Sequence, residues 1–543
     1  MKKIVFLIIA TLLVIGLVLP GCDGEVVTRP KIKIGVPYPF GTIQGTSMLS
    51  GAEMAASEIN VAGVNVSNTL YDIQIIGRND NEISAPSDAW HAVDYLISTA
   101  GAQFIIGGFR TEAVEPMIQG PLKSASPSVP FFITGSSTGD LLAGGLSGAS
   151  VYPTGYGTPY YTFDAPNSGF YEYIFRVTPF NSGFLMGMVM TTFAQVAQQV
   201  QTAMGWTYDA DAHAWPQKVR VAIVGENLTW AQPIIGGYTA LVGGALGNYF
   251  GWDLTITRTF GDNPLPGVID AALNDIEAAE NQIILTCMSG PCGLTFGKRM
   301  GVLGINAIPV GINVEAQDLN YDINTAGGAD YEVTTATYAQ GVNATPKTYQ
   351  FLADYATYTG GAFPIYTAAS YDMVYALKES IEGAGSLDKD AVCDYLRSHT
   401  RTGVSAFTAY YPEWDQVTHK IKSGKDLPAL TEAQVDAIYT PAAHVPYASY
   451  NFTMGPYTTN DLVYGPGYAT GLCIQWINGA QVAMYPKAGY DVAVNPDVPT
   501  YLVQSTLQSA LCGLYWSNTL EYPGTQAAVI PTAYQTQWGI WFP

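Results

Sequence analysis

Basic residues are scarce in this chain. It has 23 Lys and Arg against 44 Asp and Glu in 543 residues, and charged residues make only 12% of it. A net charge of -21 excludes nucleic acid as a partner, because phosphates need Lys and Arg. Histidine (5) and cysteine (6) are scarce too. A metal centre wants four ligands at tight spacing, and Cys393, Cys473 and Cys512 are scattered, so no metal or other cofactor is expected. Neither an H-E-x-x-H nor a P-loop pattern occurs. After the first twenty residues no apolar run is long enough to span a bilayer. What remains is a chain that is 48% hydrophobic and too long for one domain.

The start of the chain supplies an address. Met1-Lys2-Lys3 precedes an apolar run from Ile4 to Leu19, the layout of a secretory signal, although an uncleaved anchor also fits its length. Leu19-Pro20-Gly21-Cys22 resembles the lipobox of prokaryotic lipoproteins. That resemblance implies that Cys22 becomes the first mature residue, is lipidated, and tethers the protein to a membrane outside the cytoplasm. With Asp23 next, it implies retention on the periplasmic face of the inner membrane in a host with two membranes, and the cell surface in a host with one. In that oxidising setting Cys287 and Cys292, in CMSGPC, read as a disulfide, leaving an odd cysteine buried.

Strand-like and helix-like patterns then alternate. Lys31–Pro37, Tyr71–Arg78, Phe104–Gly108 and Val129–Thr134 are near-continuously apolar strands. Between them, Leu49, Ala52, Ala55, Ala56 and Ile59 fall at helical spacing, as do Ala89, Val93, Leu96 and Ile97 behind Pro86. The rhythm restarts at Lys218, with strands over 253–259, 282–287 and 307–312 and a Gly-rich helix over Ile234–Leu246. Later helices are expected over Tyr366–Glu382 and Asp388–Arg397. The fold class is therefore α/β, with two doubly wound parallel-sheet lobes in tandem. Thr138–Tyr173 interrupts the pattern as a Gly-, Tyr- and Ser-rich insertion. Leu472–Pro486 reads as a hairpin turning at Asn478-Gly479.

The series IKIGVPYPF, GAEMAASEIN, FIIGGF, VPFFITGSS and FRVTPFNSG resembles the type I periplasmic binding proteins, in particular their branched-chain amino acid and amide group. ASYDMVYALKESIEGAGSLD and the terminal hairpin resemble the late elements of that family, so the likeness runs from about Lys31 to Pro486. It implies two lobes joined by three crossing strands. The divisions are a signal at 1–21, a linker at 22–30, lobe 1 at 31–175, lobe 2 at 176–342, a return to lobe 1 at 343–460 and a terminal hairpin and crossing at 461–486. A C-terminal extension, 487–543, lies beyond the family's usual length, and its Trp516, Trp538 and Trp541 suggest packing onto the body.

The resemblance further implies a non-enzymatic role: capture of a small amino acid, amide or carboxylate and its delivery to an ABC permease. The lipid tether would keep local concentration high at that permease. The implied ligand-binding residues are Arg110 and Thr111 after the third strand and Ser136 and Ser137 after the fourth. Tyr38 and Trp230 are the flanking aromatics, with Asn313 and Glu315 after the last strand of lobe 2. Arg110 suits a carboxylate, which a guanidinium grips bidentately, or equally a salt bridge to Glu112 or Glu115. Glu315 suits a ligand ammonium. Two other readings stay open. The same fold serves as the sensing part of receptors, and GSSTG matches the nucleophile-elbow pattern of a serine hydrolase, though no helix pattern follows it.

Overall fold

The structure is a computed structural model. It describes residues 29–408 apart from 127, 139–140, 143–172, 178–179 and 262, then 410, 414–415, 420–421, 460, 462, 471–485, 530–532 and 535. Cys22, Cys512, most of the 138–173 insertion and nearly all of the C-terminal extension lie outside the described residues.

Two sheets carry the fold. The first contains β1 (Lys31–Tyr38), β2 (Val64–Val66), β3 (Thr69–Asn79), β4 (Phe104–Gly107), β5 (Phe131–Ile133) and β6 (Ile174–Arg176) in the order β2-β3-β1-β4-β5-β6. All its pairings are parallel except the β2–β3 hairpin. The second contains β7 (Val219–Glu226), β8 (Trp252–Phe260), β9 (Ile283–Met288), β10 (Ile308–Asn313) and β11 (Val333–Ala336). Two short ladders follow, β12 (Arg401–Thr402) with β13 (Phe407–Thr408) and β14 (Trp414–Asp415) with β15 (Lys420–Ile421). The terminal hairpin, β16 (Leu472–Ile477) and β17 (Ala480–Tyr485), returns to the second sheet, whose order is β17-β16-β11-β10-β9-β7-β8. Asn478 and Gly479 both have positive φ, 51° and 76°, the type I′ geometry that matches strand twist.

Helices cover the sheets, and their ends follow from local chemistry. The helix Ile43–Ala62 starts six residues before Leu49, the first of the apolar stripe, because Thr42 caps it, accepting from the Gly45 amide at 3.0 Å; such a cap is worth about 1 kcal/mol. It ends at Gly63, whose φ of 83° suits glycine. Met48, Ala52, Ala55 and Ile59 face the main core. Gly51 lets the helix Ala369–Ala384 approach: a Cβ there would lie 2.7 Å from Ser370 Oγ. The expected Ile234–Leu246 helix is instead two, Gln232–Val242 and Ala245–Phe250, broken at Gly243-Gly244 where backbone entropy disfavours helix. The longest helix among the described residues, Ser182–Met204, was not anticipated; Asn181 caps it, and its buried side runs through Leu185, Met188, Val189 and Val196.

Candidate functional site

In open α/β sheets a ligand sits beyond the strand carboxyl ends where strand order reverses. In the first sheet that point lies between β1 and β4, in the second between β7 and β9. The loops leaving β4 and β7 meet here. A cavity lies between the lobes. Lobe 1 lines it with Phe109, Arg110 and Thr111 after β4 and with Ser136 and Ser137 after β5. Trp230, Ser289, Val314 and Gln317 face them from the second sheet's loops.

At the centre is an ion pair between lobes. Arg110 Nη2 stands 3.7 Å from Glu226 Oε1, with both side chains fully buried. Arg110 thus pairs across the cleft with Glu226. Glu112 instead accepts the Thr229 amide from across the cleft. Glu226 was not among the expected residues. It ends an apolar strand, VRVAIVGE, and a carboxylate at such a strand's carboxyl end was the signal available. It accepts from the Ser289 amide at 2.9 Å, Ser289 Oγ at 2.7 Å, the Gly290 amide at 3.1 Å, Cys292 Sγ at 3.0 Å and Trp230 Nε1 at 3.3 Å. One carboxylate therefore positions two cavity-lining residues, Trp230 and Ser289, and faces the arginine of the other lobe. Gly290 makes room for that arginine, since a Cβ there would lie 2.2 Å from Arg110 Nη2.

Behind Arg110 lies a second unanticipated acid. Glu82 is fully buried and accepts the Phe109 and Arg110 amides at 3.3 and 3.4 Å. Burial, and then the neighbouring Asp80, push its carboxyl well above the usual range, against the pull of Arg110. The hydroxyls after β4 and β5 lie together: Thr111 Oγ1 is 2.8 Å from Ser136 Oγ and 2.5 Å from Thr138 Oγ1, and Ser137 Oγ is 3.3 Å from Ser182 Oγ. Buried Arg176 donates to the Ser136 and Thr138 carbonyls and so fixes this loop.

Three expected residues stand apart from the cavity wall. Tyr38 packs edge-on to Phe40, with ring centroids 6.4 Å apart; the aromatic that reaches the cavity from lobe 1's late segment is Tyr366. Asn313 points into lobe 2, where its Nδ2 donates to Glu332 Oε1 at 2.7 Å and Tyr321 Oη at 2.9 Å. Glu315 sits beside the wall, between Val314 and Gln317. It accepts from Gln44 Nε2 at 3.0 Å, and burial pushes its carboxyl up to about 7. Gln44 also donates to the Ser289 carbonyl at 3.0 Å, so it crosses between lobes.

The expected disulfide is not formed. Cys287 and Cys292 are both free and buried. Cys287, on β9, faces the same core as Ile283 and Leu285, while Cys292 opens the helix Cys292–Leu303, packs with Ile284 and Met288 on the other face of the sheet and donates to Glu226. Cys393 and Cys473 are also free and buried. Among the described residues no group of three or more His, Cys, Asp or Glu could hold a metal ion, and no helix is long and apolar enough to cross a membrane.

Two α/β lobes closing on a cavity at both switch points define the type I periplasmic binding protein fold, and the chain has that fold. No family model and no curated protein matches the chain. Solved structures do. The branched-chain amino acid transporter substrate-binding protein LivJ from Streptococcus pneumoniae, in complex with isoleucine, is similar at 15% identity over 84% of this chain and 98% of its own, with a TM-score of 0.55. A solute-binding protein of an ABC transporter from R. palustris, in complex with benzoate, is similar at 12% identity over 83% and 95%, with a TM-score of 0.54. An ABC transporter substrate-binding protein from Desulfitobacterium hafniense, in complex with Leu, is similar at 14% identity over 84% and 100%, with a TM-score of 0.51.

Proposed function

We propose that this protein is a lipid-anchored, extracytoplasmic solute-binding protein that captures a small amino acid, amide or carboxylate by lobe closure and hands it to an ABC import permease. The observation that carries this reading is the cavity between the lobes, placed at the switch points of both sheets and walled by residues of each. Its wall carries one arginine, several hydroxyls and apolar side chains, a set that binds rather than transforms. Among the described residues no histidine lines the cavity beside Ser137. Closure is a hinge motion between lobes. The tether is proposed from Leu19-Pro20-Gly21-Cys22 alone, and Cys22→Ser should release the protein from the membrane fraction.

The test is thermal unfolding of the chain from Asp23 onward against amino acids, their amides and amine-free acids. A ligand at 100 times its Kd stabilises by about 2.7 kcal/mol. A shift with one class, accompanied by compaction in solution scattering, is the expected result. Ligand-stripped protein that responds to no solute refutes the proposal.

A further inference from the structure

We infer that the cavity takes a small carboxylate that carries an apolar body and no amine, an inference that rests on the solute-binding reading above and narrows it. The head group is the first ground. Among the described residues Arg110 is the one charged side chain on the wall, and Ser136 and Ser137 stand beside it from lobe 1. Arg110 and Glu226 compensate each other, so hydrogen-bond donors rather than net charge decide what binds. Glu226 meets the guanidinium at 3.7 Å, longer than a hydrogen bond, and is held by five donors of its own lobe. A ligand carboxylate can therefore take the fork of Arg110 in two parallel, charge-assisted hydrogen bonds while Glu226 stays satisfied. The serine hydroxyls can rotate to donate to the same head.

The second ground is what an ammonium would meet. A carboxylate offers about four lone-pair sites, and the five donors on Glu226 occupy them. Glu112 accepts the Thr229 amide, Glu82 the Phe109 and Arg110 amides, and Glu315 the Gln44 side chain. Burial raises all three of these carboxyls, the direction that keeps a proton on and the charge off. None of the four acids lines the cavity. A buried ammonium would lose its water there and find no carboxylate to replace it, which is costly. The rest of the wall is largely apolar, with Phe109, Phe180, Trp230 and Tyr366 beside Leu185 and Val314, and fits a branched or ring-bearing body.

Three ligands on one carbon skeleton separate the groups: 3-phenylpropanoate, its neutral amide 3-phenylpropanamide, and phenylalanine, which adds an amine to the acid. Titration calorimetry at neutral pH, on ligand-stripped chain from Asp23 onward, should find 3-phenylpropanoate bound about 100-fold more tightly than phenylalanine and about tenfold more tightly than the amide. The pair 4-methylpentanoate and leucine should repeat the first ratio on an aliphatic body. Every arm uses the unaltered protein, so the answer does not depend on a variant that folds. An amino acid that binds as tightly as its amine-free acid, or an amide that binds as tightly as the acid, overturns the inference and leaves the solute-binding reading standing. A panel in which only amine-bearing solutes bind does the same. No binding by any solute removes both.

Discussion

Replacing Arg110 by Met keeps the length of the side chain and removes its charge from the contact between lobes. Glu226 is then buried with no cation in its place. At 3.7 Å and an effective dielectric of about 20 the pair attracts by about 4 to 5 kcal/mol. Loss of one partner from a buried pair costs about 3 to 5 kcal/mol. Glu226 keeps its donors from Ser289, Gly290, Trp230 and Cys292, all in its own lobe, so the low end, about 3 kcal/mol, is expected. The protein need not unfold to escape this cost. Opening the cleft hydrates Glu226 while each sheet stays intact. Arg110→Met should therefore shift the ligand-free protein toward the open form by about 100-fold and lower its melting temperature little. X-ray scattering reads the outcome directly, as a larger radius of gyration in the variant. Arg110→Met with Glu226→Gln should restore part of the closure, because no orphan charge remains. A variant with unchanged scattering and the full loss taken in melting temperature would refute the reasoning: the pair would then be a structural bridge and not a contact that opens.

Two further outcomes follow from burial. Reductant should leave the melting temperature unchanged, and Cys287 and Cys292 should resist thiol reagents in the native state, because burial pushes both thiols well up; rapid labelling of either, or a reductant-sensitive melt, contradicts the assignment. The Glu332 carboxyl, pushed by burial from 4.5 up to about 7, holds its proton in the folded state where the unfolded chain has lost it. Folded protein thus binds more protons between those values, and stability falls as pH rises through that window, by as much as about 3 kcal/mol from this group. Glu332→Gln should flatten the decline between pH 5 and pH 8, and a variant profile parallel to the parent's refutes it.

Much of the architecture was legible because each element carried its own signal. Near-continuous apolar strands separated by helical stripes dictate parallel sheets covered on both faces, since βαβ crossovers place helices there. Asn478-Gly479 fixed the last hairpin, since two adjacent residues at positive φ favour that pair. The loop after β4 and the hydroxyls after β5 came from the resemblance to the type I periplasmic binding proteins, not from the local pattern. The helix Ser182–Met204 left a weaker mark, because it is buried on much of its surface and its stripe blurs into a general apolar run.

Local sequence determined where strands and helices form, and hence which loops stand at strand ends. It could not determine what those loops meet. Arg110 and Glu226 are 116 positions apart, and nothing in either stretch ties one to the other; only the approach of two sheets makes them partners. The cysteines show the same limit from the other side. Their five-residue spacing suggested a bridge, yet Cys287 faces one layer from its strand while Cys292 opens the helix packed on the other, and the sheet separates them. Pairing across a cleft, and exclusion across a sheet, are decided by tertiary structure.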